Sequence, residues 1–149
     1  MASNTDALKD AYKAFSEGDA DSAADAFADD AVWEGSNSTE LPGGGNHEGK
    51  EAIVEAMKSV AGGWDEYKLT PDEFFENEDT VVVLLHADVK GAESGQLPTV
   101  HIARFEDGKI RRFQALTDTL LAAQYLGLIG GKPPEDPDSD DDDSEDRES

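Results

Sequence analysis

Residues Phe15 to Gly35, FSEGDADSAADAFADDAVWEG, compress two helix ends and a strand start into one short stretch. Before it, Leu8, Ala11, Tyr12 and Phe15 recur at i, i+3, i+4 and i+7, which predicts an amphipathic helix from about Asn4 to Glu17. Gly18 supplies the left-handed residue that ends such a helix. Asp19 can accept from the free N–H groups of a second helix, which is expected to bury Ala23, Ala26 and Phe27 and to stop at Asp29-Asp30. A strand carrying Trp33-Glu34 follows at once. Few folds turn two helices and a strand on one another this tightly.

Downstream, a loop rich in Gly, Ser and Asn spans Gly35 to Gly45. Ile53, Ala56, Met57 and Val60 mark a third helix, stopped by Gly62-Gly63. The period then changes to two, and Tyr67–Phe75, Thr80–Lys90, Leu97–Glu106 and Lys109–Thr117 read as strands joined by short turns, hence antiparallel. Leu120 to Ile129 reads as a last helix closed by Gly130-Gly131. Helices first and strands second imply an α+β fold, with a curved antiparallel sheet of four to five main strands packed on three N-terminal helices. A sheet covered on one face leaves room for a small molecule between the layers.

The chain of 149 residues carries 35 acidic against 12 basic side chains, a net charge of −23. Ten acids and one arginine fall in Pro133–Ser149, so the remaining residues still hold −14. Residues 1–131 are read as one domain and residues 132–149 as a disordered acidic tail. No basic stripe offsets this charge, which argues against nucleic acid and anionic membranes as partners. An acidic surface with only eight lysines suits a salt-filled cytoplasm and a halophilic source. The absence of cysteine excludes disulfides and thiolate chemistry. The N-terminus lacks the basic and apolar regions of a signal peptide, and no apolar run approaches a membrane span, so a cytoplasmic location is expected.

Several motifs together resemble the SnoaL-like, ketosteroid-isomerase-related branch of the nuclear-transport-factor-2-like superfamily. They are Tyr12-Lys13-Ala14-Phe15 with Gly18-Asp19, and Phe27-Ala28-Asp29-Asp30-Ala31-Val32-Trp33. Gly49-Lys50-Glu51-Ala52-Ile53, Arg104 to Ile110 and Thr117-Asp118-Thr119 complete the set, covering about residues 5 to 128. The resemblance implies a cone-shaped α+β barrel, a homodimer and a deep apolar pocket. Its members include isomerases, cyclases, dehydratases and non-catalytic binding domains, so the fold does not fix the activity.

Carried across by position, the isomerase's tyrosine donor falls at Ala11, its general base at Gly35 beside Glu34, and its second acid at His101. The base and donors needed for isomerisation are not in register, so standard ketosteroid isomerase activity is not expected. SnoaL-like cyclases place an acid/base after the last strand, which corresponds to Asp118; the same residue is also well placed to cap the following helix. His101 shares a strand face with Thr99, Ala103 and Phe105, and the register match with the family turns that face to the pocket; a histidine satisfied by a neighbouring strand residue is the alternative. The candidate proton carriers are therefore Asp118 and His101, with Glu34 as an alternative base. Tyr12, Phe15, Trp33, Met57, Trp64 and Phe113 are the candidate pocket-lining residues, a role that overlaps with plain core. Arg104 and Arg112 alternate away from that face.

Three dispersed histidines lack metal-ligand spacing, and neither a metal nor a cofactor is expected. GGGNHEGKE at Gly44–Glu51 mimics a phosphate loop but has Glu51 where the hydroxyl belongs. Asp136, Asp138 and Asp140 mimic a calcium loop but lack its glycine and its bidentate glutamate. The sequence thus points to a pocket for a small apolar, oxygenated molecule, used either for acid/base isomerisation, cyclisation or dehydration, or for binding alone. The charge reading is directly testable: the unfolding temperature should rise steadily between low and molar KCl, and a flat or falling profile would contradict it.

Overall fold

The computed structural model describes residues 3–131, so the acidic tail expected at 132–149 lies outside the described residues. The element order is α1 (Asn4–Ser16), α2 (Ala20–Ala24), β1 (Phe27–Glu34), β2 (Asn46–Glu48), α3 (Lys50–Gly62), β3 (Glu66–Asn77), β4 (Thr80–Lys90), β5 (Ser94–Glu106), β6 (Lys109–Thr117) and α4 (Thr119–Leu126). The strands form one curved, unclosed sheet in the order β2-β1-β6-β5-β4-β3. It has six strands and is mixed rather than wholly antiparallel, because β1 runs parallel to β6. The β3–β6 meander is antiparallel throughout.

Local chemistry explains the N-terminal corner. Ser3 caps α1 in a reciprocal box with Asp6, satisfying two otherwise free N–H groups. Gly18, at φ +81°, reverses the chain, and the Asp19 carboxylate accepts from Ser22 N–H at the start of α2. The second helix is shorter than the sequence suggests. It ends at Ala24, and Phe27 belongs to β1, opposite Ile110 of β6. The Ile110 N–H donates to the Ala26 carbonyl, so strand pairing captures residues whose apolar spacing is also helical. At the other end, α4 stops at Gly127 rather than at Gly130-Gly131. Gly127 is left-handed, and Leu128 N–H donates back to Ala123 O in a Schellman closure.

Two apolar clusters hold the layers together. Leu8, Phe27, Trp33, Ile53, Met57, Val83, Phe105 and Phe113 join α1 and α3 to the inner face of the sheet. Leu41, Trp64, Ala87, Leu97, Ala122 and Tyr125 join the loop after β1, the end of the sheet and α4. Alternation along β4 and β5 sends Val81, Val83, Leu85, Leu97, Thr99, His101 and Ala103 inward. No helix among the described residues is long and apolar enough to cross a membrane.

Candidate functional site

A cavity of about 120 Å³ lies at the seam between the two clusters, beneath α1 and α3 and against the inner face of the sheet. Its size is on the scale of the roughly 150 Å³ apolar cavity known to admit benzene. The wall is overwhelmingly apolar, and no aspartate, glutamate, lysine or arginine contributes to it. Tyr12, Phe15, Trp33, Met57, Trp64 and Phe113 all line it, and so does His101. Both tryptophans of the chain therefore face one space.

His101 enters from the centre of β5 and is 7% exposed. Its Nδ1 lies 2.8 Å from the Tyr12 hydroxyl of α1, and its ring packs 4.7 Å from that of Phe113. Burial away from any compensating charge lowers its pKa from 6.5 to about 3, so the imidazole is neutral. The same desolvation, reinforced by nearby Tyr67, raises the Tyr12 hydroxyl far above its ordinary range. A neutral dyad has two tautomers. Tyr12 donates to Nδ1 and leaves Nε2–H as a donor, or Nδ1–H donates to Tyr12 and leaves Nε2 as an acceptor. Nε2 has no hydrogen-bond partner among the described residues. On the same strand Thr99 pairs with Thr117 through their hydroxyls at 3.3 Å, and both line the cavity. Trp33 Nε1 is fully buried without a partner among the described residues.

The carboxylates singled out by sequence stand elsewhere. Asp118 is the N-cap of α4, where its Oδ1 accepts from Leu121 N–H at 3.0 Å, and it does not line the cavity. Glu34 alternates to the opposite sheet face from Trp33 and forms a bidentate pair with Arg112, both contacts at 3.0 Å. His86 also lies on the outer face, with Nδ1 2.9 Å from Asp72, while His47 Nε2 contacts Gly44 O at 3.0 Å. No group of three or more metal-ligating side chains among the described residues is placed to hold an ion.

Ala11, Gly35 and His101, the positions matching the isomerase's reactive groups, all line the cavity. The position for the base is thus inside the pocket but carries no side chain. The reason is local: the loop after β1 folds back so that Gly35 N–H donates to Gly45 O and Gly45 N–H to Ser36 O. A Cβ at residue 35 would strike Gly43 O, so an aspartate cannot occupy it while this loop is in place. Sequence reasoning missed Tyr67, Thr117 and the Leu41-Pro42-Gly43 wall. The period-two spacing of Tyr67 and Leu69 was the available signal for the first of these.

The model of the SnoaL-like domain matches residues 8–113, more than half of the chain. This protein belongs to the SnoaL-like family. Among solved structures, it is similar to an NTF2-like protein of unknown function from Burkholderia pseudomallei, with 29% identity over 85% of this chain and 98% of that one, and a TM-score of 0.77. TerC, co-crystallised with polyporic acid, is 25% identical over 83% and 98% of the two chains, also with a TM-score of 0.77. IdmH of Streptomyces antibioticus, a proposed polyketide cyclase, shares the fold at 18% identity over 85% and 99% of the chains, with a TM-score of 0.70. No functionally curated protein matches the sequence.

The depressed His101 pKa has a measurable consequence. Between pH 6.5 and about 3 the unfolded chain takes up a proton that the folded chain refuses, so stability is full above pH 6.5 and falls as pH drops. One such group costs about 1.4 kcal/mol per pH unit within the window. Urea unfolding at constant high salt should show the wild type losing about 2 kcal/mol more than His101→Phe between pH 7 and pH 5. Equal losses in the two proteins would contradict a buried, neutral histidine.

Proposed function

We propose that this SnoaL-like protein binds a small, apolar, oxygenated molecule in its cavity and acts by binding. The observation that carries this reading is the uncharged wall: its polar groups are neutral hydroxyls, indoles and one neutral imidazole, while Asp118 and Glu34 are engaged elsewhere. Apolar surface supplies the affinity, and the few polar groups select an oxygen and orient it. TerC, 25% identical and co-crystallised with polyporic acid, supports a small-molecule role for a protein of this fold.

A second reading is favoured by one specific feature, the unpartnered Nε2 of His101 with the Tyr12 hydroxyl behind it. In it, Nε2 takes a proton from the ligand as Nδ1–H is shared with Tyr12, which suits isomerisation, cyclisation or dehydration. Asp118 or Glu34 joins that chemistry only by leaving the α4 cap or the Arg112 pair. The low basicity of His101 weighs against this route.

A homodimer is part of the same proposal. Leu84, Val100 and Leu116 are cross-strand neighbours on the outer sheet face; Leu84 and Leu116 are exposed, and Phe75 is exposed nearby. Such an apolar stripe suits a second copy of the chain. The acidic surface fits a salt-filled cytoplasm, with neither nucleic acid nor membrane as partner.

Native mass spectrometry of protein purified at high salt tests the proposal. We expect a dimer carrying a small neutral organic molecule that is recovered unchanged after incubation. Conversion to an isomer or a dehydrated product, lost in His101→Phe, would establish the second reading. A monomer without ligand would overturn both the dimer and the pocket function.

A further inference from the structure

We propose that the cavity contains an oxygen-binding subsite in which the Tyr67 hydroxyl donates to a neutral carbonyl oxygen of the ligand, beside the Tyr12–His101 pair. This rests on the pocket reading above and specifies its ligand. Tyr67 is the first inward side chain of β3, opposite buried Val89, and its ring stands edge-on to Phe15 with centroids 6.3 Å apart. It lines the cavity, yet its hydroxyl has no hydrogen-bond partner among the described residues. A half-buried hydroxyl with no protein partner on an apolar cavity wall is free to donate to a group supplied from outside. The chemistry of its surroundings identifies that group.

Tyr67 and His101 line the same cavity as the Tyr12 hydroxyl: His101 is bonded to it at 2.8 Å, and the Tyr67 ring packs on Phe15, one turn along α1 from Tyr12. Burial keeps the Tyr67 proton in place well beyond neutral pH, so it remains a donor. When Tyr12 donates to Nδ1, His101 presents Nε2–H as a second donor. A carbonyl oxygen, with two lone pairs and no proton, suits two neighbouring donors. A carboxylate does not, because the wall holds no cation to offset its desolvation and the chain carries −23. The ligand class is therefore a neutral ketone, aldehyde or quinone with an apolar, ring-sized body.

Three probes of one shape separate the contributions: acetophenone, α-methylstyrene with a methylene in place of the oxygen, and benzoate. Affinities are read in molar KCl from the NMR signals of the Trp33 and Trp64 indole N–H groups. Acetophenone should bind about tenfold more tightly than α-methylstyrene, the ratio expected of a net hydrogen bond, and benzoate should not bind. Tyr67→Phe should lower the ratio severalfold, to what the His101 Nε2–H donor alone supplies, and leave α-methylstyrene affinity unchanged. Equal affinities in the wild type, an unchanged ratio in Tyr67→Phe, or benzoate binding as tightly as acetophenone would overturn the subsite while the pocket stands. Failure of both neutral probes to bind would overturn the pocket reading itself. Should Tyr67→Phe not fold, wild type labelled with ¹³Cζ-tyrosine decides: acetophenone, but not α-methylstyrene, must shift the Tyr67 signal.

Discussion

The hydrogen bond between Tyr12 and His101 ties the helical layer to the centre of the sheet across the cavity, and the character of the site follows from it. A lone buried imidazole costs roughly 1–3 kcal/mol of desolvation, which a neutral partner offsets. Tyr12 is that partner, placed one residue along α1 from the cavity-lining Ala11. With no carboxylate nearby to favour the imidazolium, burial decides the protonation state, and the pair stays neutral. The polar end of the cavity can therefore donate or accept a hydrogen bond without carrying charge.

The second constraint is the loop from Gly35 to Gly45. Its backbone closes over Gly35, where a Cβ would strike Gly43 O, and its Leu41-Pro42-Gly43 stretch becomes cavity wall. Glu34, the adjacent carboxylate, is turned by strand alternation to the other face and held there by Arg112. Asp118 is held by the N-terminus of α4, whose first turn needs an acceptor. Each carboxylate is thus taken up by an ordinary structural need. What remains in the cavity suits recognition of a neutral oxygen better than strong acid/base catalysis.

Much of the fold was legible because its signals are local. Periodicity located α1, α3 and the β3–β6 meander, and the Gly18-Asp19 pair marked the turn between α1 and α2. The start of β1 was not legible, because Ala23, Ala26 and Phe27 satisfy helical spacing while Phe27 is claimed by pairing with β6, a partner more than eighty residues away. The short strand β2 exists only as an edge on β1, so nothing within Asn46–Glu48 announces it. Alternation also turned His101 inward on paper, since β5 has a clear period of two. The partner of that histidine was not readable, because the contact spans 89 positions and depends on how α1 lies across the sheet. Asp118 illustrates the opposite limit: its sequence context fitted a cap and also a catalyst, and its geometry with Leu121 assigns the contact it makes.

Whether the Tyr12–His101 dyad is neutral inside its uncharged cavity can be read from the ¹⁵N NMR spectrum of histidine-labelled protein at pH 5 and high salt. His101 should show a neutral ring with one protonated nitrogen, and its Nδ1 shift should change in Tyr12→Phe. An imidazolium at pH 5, with both nitrogens protonated, would contradict a neutral dyad.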